Sequence, residues 1–416
     1  MQLKNWVGNK MVEFDSFISV DEIIEAKDSN YVTKELSFDD KTILNTPYKV
    51  FNVSKVKLNK LESRIQGNIL ESTKFINNKR SFDALYNLLE NSPDNQKSKL
   101  NQFFKVDNTF KSYKSIISLT FSKNPFKSNK FARGKSKPLS FSNFEYLLDY
   151  MHEYSTLFIL IPDIDFKSIE SMDEYTQYIE KAVNTVSSFN NKPIFVPLSM
   201  KLDNTNLEKL LYFYKENNYS NIWFNFYSNQ INTKITNIRY SLRLINRLFK
   251  GTAVTYFSNM KKEINKHLDD VYTLPSDFLG PFFGCDFLGS NRESGFSSKN
   301  IKRTPEEKKE FKRKNLINQN RIFDPSSYYY YSILEHPSDL GVNPNSILKT
   351  NGLSDIINSS ILSQELTRVN NHVIENKNIG KYLKNKKMFS NNEKLKKDLL
   401  IVDENQSSLS EFFSKL

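Results

Sequence analysis

Between about residue 114 and residue 291 the chain alternates two kinds of hydrophobic spacing. Short apolar runs stand at 116–121, 157–161, 193–197, 221–226, 252–257 and 278–283. Each is too short for a buried helix and rich in β-branched or aromatic residues, which predicts a strand buried on both faces. Between these runs, residues 173–189, 205–217 and 235–249 repeat their apolar positions at helical spacing. Strands alternating with helices predict right-handed crossovers and a parallel sheet. Such sheets carry their chemistry on the loops that leave the carboxyl ends of the strands.

The flanks extend this pattern. Residues 48–53 alternate like a half-exposed strand, and 81–89 read as an amphipathic helix opened by Ser81. Residues 92–95, Ser-Pro-Asp-Asn, form a turn or linker. One or two strands from this part, added to the six runs, predict an α/β chain folded as a TIM-like (β/α)8 barrel, regular or distorted, within residues 1–295. An open doubly wound sheet is the alternative, but no Gly-x-Gly-x-x-Gly turn supports it. Beyond Asn291 the character changes. Thr304-Pro305-Glu306-Glu307 is a helix start, with a capping Thr, Pro in the first turn and acids at the positive end. A basic segment follows at 308–314, then four tyrosines at 328–331 and helical patterns near 364–383 and 393–400. Residues 296–416 thus predict a mostly helical, basic appendage, with the tyrosines as packing or interface residues.

Composition narrows the class. The 416 residues include 38% hydrophobic and 13% aromatic side chains, enough for a large core. No apolar run approaches the roughly 18 residues that cross a bilayer, and the amino terminus lacks a signal-peptide pattern. A cytoplasmic protein without membrane contact is expected. The single cysteine, Cys285, excludes an intrachain disulfide and a multi-cysteine zinc site. Lys and Arg outnumber Asp and Glu by 59 to 47, a formal charge of +12. Coding bias toward Lys and a nucleic-acid partner explain that excess equally well, so clustering decides between them.

Three segments could carry chemistry. Asp163 and Asp165 follow the 157–161 run, where carboxylates bind polar substrates, hold a metal or act as acid and base; the plain alternative is a helix cap. Residues 284–292 supply two glycines with Asp286, Ser290, Asn291 and Arg292, as a site loop or as a self-satisfied turn. Residues 123–137 hold six cations, Lys123, Lys127, Lys130, Arg133, Lys135 and Lys137, with Phe126 and Phe131 between them. Cations neutralise phosphates and aromatics stack on bases, so this loop is the candidate nucleic-acid surface, assisted by basic residues of 302–314; a solvated loop is the alternative. Ser199, Lys201, Asp203, Asn225, Tyr227, Tyr256, Ser258 and Asn259 stand at other strand ends as a polar rim. Cys285 reads as a small core residue. The four histidines are scattered, no phosphate-binding Gly-x-x-x-x-Gly-Lys-Ser/Thr loop is present, and neither metal nor cofactor is expected.

The order of these pieces resembles the tRNA-guanine transglycosylases, (β/α)8 enzymes that exchange guanine for a 7-deazaguanine in nucleic acid. The likeness spans about residues 114–295. Ile161-Pro162-Asp163 takes the place of that family's base-recognising Asp. The stretch 283–290, Phe-Gly-Cys-Asp-Phe-Leu-Gly-Ser, resembles its late-barrel Gly-x-Asp-x-Phe-Asp-Ser/Cys segment. The resemblance implies base exchange at a glycosidic bond of DNA or RNA. Asp163 and Asp286 would be catalytic in one pocket, with Asp165, Ser199, Tyr256, Ser290 and Asn291 as substrate contacts. Three features depart from the family: Gly289 replaces its covalent nucleophile, an amino-terminal Asp-Ser-Gly is missing, and a Cys-x-Cys-x-x-Cys zinc site is impossible. A non-catalytic nucleic-acid-binding scaffold, or a barrel enzyme for a small phosphorylated metabolite, are the other expectations.

Overall fold

The computed structural model describes residues 4–7, 10–13, 18–56, 58, 62–90, 95–131, 134–189, 192–264, 270–293 and 304–400. Its centre is a closed parallel barrel of eight strands. In order they are Tyr48–Lys49 with Phe51–Asn52, Leu70–Ile76, Ser115–Phe121, Ile159–Leu160 with Asp163–Ile164, Ile194–Ser199, Asn221–Asn225, Val254–Ser258 and Phe287–Leu288. Each pairs in parallel with the next, and the eighth returns to the first through Phe287 opposite Tyr48. Val50 N–H still donates to Leu288, while Phe51 N–H donates to Ile69, so the first strand hands its bonding from one neighbour to the other within one residue.

The helices form the outer layer. Met172–Ser187, Asn204–Glu216 and Ile235–Phe249 fall where the spacing places them. The carboxyl-terminal region packs on the side of the barrel as expected, and its 24-residue helix Leu353–Asn376 lies along the first strand. Pro305–Gln319 opens with a reciprocal cap between Thr304 and Glu307. Tyr328 and Tyr330 are buried packing residues, donating to Glu365 and Asp277.

Three local expectations are corrected. Residues 278–283 are not a strand but a 3-10 turn, Asp277–Phe283. Pro281 inside the run cannot donate to a ladder, and the eighth strand forms at Phe287–Leu288 instead. Leu70–Ile76, unmarked by an apolar run, is the second strand; Glu71, Thr73 and Lys74 dilute its signal. The helix Lys79–Glu90 is capped by Asn78, which accepts from Ser81 N–H, rather than by Ser81.

An antiparallel sheet, Ile18–Glu25, Val32–Phe38 and Ile43–Thr46, precedes the barrel. Its Leu36 and Phe38 join Val50, Ile116, Phe158, Leu160, Phe195, Trp223, Val254 and Phe287 in one buried cluster. This plugs the amino-terminal end of the barrel with a dry core. Among the described residues no helix is long and apolar enough to cross a membrane.

Candidate functional site at the barrel mouth

Along the barrel axis the interior changes from apolar to polar. Above the Trp223 layer, Glu71 accepts from Ser118 Oγ at 2.5 Å and from Ser290 N–H at 2.6 Å, and Lys49 donates to Gly289 O at 2.7 Å. Burial lowers the Lys49 pKa, and nearby Asp277 and Glu71 oppose that shift. Higher still, at the carboxyl ends of the strands, lies a layer of amides and a fully buried carboxylate.

Asp163 is that carboxylate. The fourth strand breaks at Pro162, which has no N–H, and when it resumes Asp163 pairs with Thr120 of the third strand. Its Oδ1 accepts from Tyr175 at 2.7 Å; its Oδ2 accepts from Asn225 Nδ2 at 2.8 Å and Tyr227 at 2.7 Å. Burial disfavours the charge more than these three donors favour it, and the pKa rises to about 6. Asn225 also donates to Thr120 Oγ1 at 2.9 Å and accepts from Asn259 Nδ2 at 3.0 Å. The donor set around Asp163 ties the fourth, sixth and seventh strand ends into one frame.

The backbone above this frame is strained. Tyr227, Ser228 and Asn259 have φ of 50°, 64° and 57°, left-handed values that non-glycine residues rarely adopt. Ser228 N–H donates to Asn259 O at 2.6 Å, which locks the two exits together. Held strain of this kind clusters at working sites.

Above Tyr227 runs a chain of rings and cations. Phe75 meets Tyr227 edge-on at 5.7 Å, and the Arg292 guanidinium lies 3.5 Å from the Phe75 ring centre. Lys201 Nζ lies 4.2 Å from the Tyr227 ring and 2.5 Å from Asp165 Oδ2. Arg292 is half-buried, and desolvation alone pulls its pKa down to about 10. No carboxylate among the described residues pairs with it. An arginine stacked on an aromatic face, its N–H groups free of a counter-charge, is an anion-binding group.

The other candidates scatter. Asp286 lies at the opposite end of the barrel. Its Oδ2 accepts from Thr255 N–H at 2.8 Å and pairs with Lys34 at 3.0 Å, while Oδ1 accepts from Thr46 Oγ1 at 3.3 Å. All three partners belong to the amino-terminal sheet or the start of the seventh strand, so Asp163 and Asp286 share no pocket. Position 289 has no room for a carboxylate, because a Cβ there would come within 2.5 Å of the Tyr256 hydroxyl. Tyr256 itself is packed in the lower core, and Ser290 is engaged by Glu71. Asn291 donates to Asp277 at 2.5 Å. Asp165 caps the turn Phe166–Ser168 as well as pairing with Lys201. Ser199 Oγ accepts from Lys201 N–H at 3.3 Å. Cys285 is a buried core residue.

The basic loop is folded rather than splayed. Lys127 pairs with Glu170 at 3.0 Å and Glu174 at 2.8 Å. Phe131 is buried against Phe82, and Phe126 packs among Phe141, Phe144 and Tyr178, so neither offers a stacking face to a base. Lys123, Lys130, Lys135 and Lys137 are exposed; Arg133 lies outside the described residues. Among the described residues no three His, Cys, Asp or Glu side chains gather as a metal site. Arg292 and Tyr227 were visible as polar residues at strand ends, but nothing in sequence placed Phe75 beside them, because its strand carried no apolar run.

No protein-family model matches this chain, and no curated protein does. Solved structures resemble it in part. An endo-β-1,4-mannanase double mutant from Cellulomonas fimi gives a TM-score of 0.37 at 9% identity, over 64% of this chain and 70% of that one. A family GH26 β-mannanase from Bacteroides ovatus gives 0.34 at 10% identity, over 62% and 85%. The catalytic domain of a GH26 endo-β-1,4-mannanase from Bacillus sp. JAMB-750 gives 0.35 at 12% identity, over 56% and 69%. Likeness this distant transfers no activity. The base-exchange expectation is corrected: its two carboxylates stand at opposite ends of the barrel, and position 289 admits no nucleophile.

Proposed function

We propose that the protein is a ligand-binding barrel whose mouth takes a small anionic molecule with a flat or apolar face. Arg292 is the anion ligand, Phe75 and Tyr227 form the wall, and Lys201 supplies a second positive charge beside them. The observation that carries this reading is the half-buried Arg292 guanidinium, 3.5 Å from the Phe75 ring centre with no carboxylate against it among the described residues. Holding a cation in this way costs free energy that an incoming anion returns. Asp163 belongs to the frame: its acceptor sites are filled by Tyr175, Tyr227 and Asn225 and it is fully buried. Asp165 is held by Lys201. Neither stands free for hydrolysis by a pair of carboxylates.

The test is thermal stabilisation of the full chain by a panel of sugar phosphates, nucleotides, aromatic carboxylates and neutral oligosaccharides. An anionic member at 100 times its Kd should stabilise by about 2.7 kcal/mol. The shift should vanish in Arg292→Gln. Stabilisation by neutral oligosaccharides that survives Arg292→Gln would overturn the reading. Nucleic acid remains a second proposal for the exposed Lys123, Lys130, Lys135 and Lys137, which leave the same face of the barrel.

A further inference from the structure

A groove of about 780 Å³ opens at the other end of the barrel, between the amino-terminal sheet and the helix Ile235–Phe249. One wall carries Arg239, Arg243 and Arg247, and Lys250 closes its end. The arginines stand four residues apart, so they form one row with a step of about 6 Å. Like charges at this spacing repel one another. The groove offers little to offset them: among the described lining residues Glu25 is the one acid, and it faces Lys34 as well as the row. Lys34 is itself neutralised by Asp286. Among the described residues no arginine of the row forms an ion pair. Arg239 donates to the Asp398 backbone, Arg247 donates to the Tyr212 hydroxyl at 3.2 Å, and Arg243 is exposed.

The choice of arginine is informative in this chain. Of 59 basic residues, 11 are arginine and, by difference, 48 are lysine. Residues 235–249 contain three of those arginines and no lysine. Whatever favours lysine elsewhere has been overridden on this one face. Guanidinium groups do what ammonium groups cannot, which is to grip phosphate oxygens in pairs. The lining also has apolar side chains, Ile23 and Val32 on the sheet and Leu242 on the helix. The volume suits a ligand of cofactor size.

We propose that this groove binds a small molecule carrying two or more phosphates, gripped by Arg243 and Arg247 with Arg239 behind them. The site is separate from the mouth and does not depend on the reading of Arg292. The experiment is titration calorimetry on the full chain with inorganic tripolyphosphate, orthophosphate and a single-stranded oligonucleotide. Tripolyphosphate should bind, and orthophosphate should compete poorly. Arg243→Gln with Arg247→Gln should weaken binding about tenfold or more. Both positions are exposed, so circular dichroism should stay native. Replacing both by Lys should restore only part of the affinity. Equal affinity in the double Gln variant, equal competition by orthophosphate, or tighter capture of the oligonucleotide through the same arginines would overturn the proposal.

Discussion

The two ends of the barrel are built on opposite principles. The amino-terminal half is filled by Phe158, Leu160, Phe195, Trp223 and Phe287 under the lid of Leu36 and Phe38, and its one conspicuous charge pair, Lys34 with Asp286, is closed by Thr46 and Thr255. The carboxyl-terminal half carries polar groups around the Phe75 and Tyr227 rings. It holds a buried acid at raised pKa, three non-glycine residues at left-handed φ and an arginine without a counter-charge among the described residues. The lower half closes its charges in a pair, and the upper half leaves Arg292 without one among the described residues. Stability and function are thereby separated along one axis, and a carboxylate has a different meaning at each end.

The largest effect should come from the lower end. Asp286→Ala leaves Lys34 nearly buried without its partner and strips three further bonds; unfolding by urea should show a loss of about 3–5 kcal/mol. Adding Lys34→Met should recover part of it. If Asp286→Ala is neutral, the lower end is not the stabilising half and the contrast fails.

Asp163 gives the next effect, and it has a sign. Its folded pKa is about 6 against an ordinary 3.8, so between those values the folded state binds more protons than the unfolded one. Stability from this group is therefore present at low pH and falls as pH rises through that window, by up to about 3 kcal/mol. Asp163→Asn should remove this dependence. The readout is the difference between native and variant unfolding curves from pH 4 to 7, which cancels the other acids. A flat difference would mean that the carboxylate is not held desolvated.

Arg292→Gln should change stability by no more than about 1 kcal/mol, the usual worth of a partly exposed cation on a ring, while abolishing ligand stabilisation. A loss of several kcal/mol would place Arg292 among the structural groups. The smallest effect belongs to the loop. Replacing Lys123, Lys130, Lys135 and Lys137 by Ser should leave stability within about 0.5 kcal/mol. If nucleic acid is a partner, the same change should flatten the salt dependence of its binding; binding that keeps its slope would clear the loop of that role.

Much of the scaffold was legible because barrel strands buried on both faces announce themselves as apolar runs, as 116–121 and 221–226 do. The second strand was hidden because Glu71 and Thr73 face a polar layer inside the barrel and weaken the run. The 278–283 segment misled for the converse reason: apolar side chains say that a segment is buried, and only Gly280-Pro281 hinted that its backbone could not join a ladder. At the site, Asp163 was found by its place at a strand end. Asp286 was misjudged because a short eighth strand begins after it, so a residue expected at the mouth sits at the base.

The sequence by itself determined the alternation of strands and helices, the barrel class, the buried cysteine and the helix start at Thr304, since these depend on local spacing and backbone chemistry. Only the tertiary structure decided which end of the barrel each polar residue faces. Closing eight strands brings Phe75, Tyr227 and Arg292 together from three distant segments, and it carries Asp286 away from Asp163. That outcome depends on strand register and on where each strand starts. A shift of one residue there reverses a side chain's direction, and no local pattern records it.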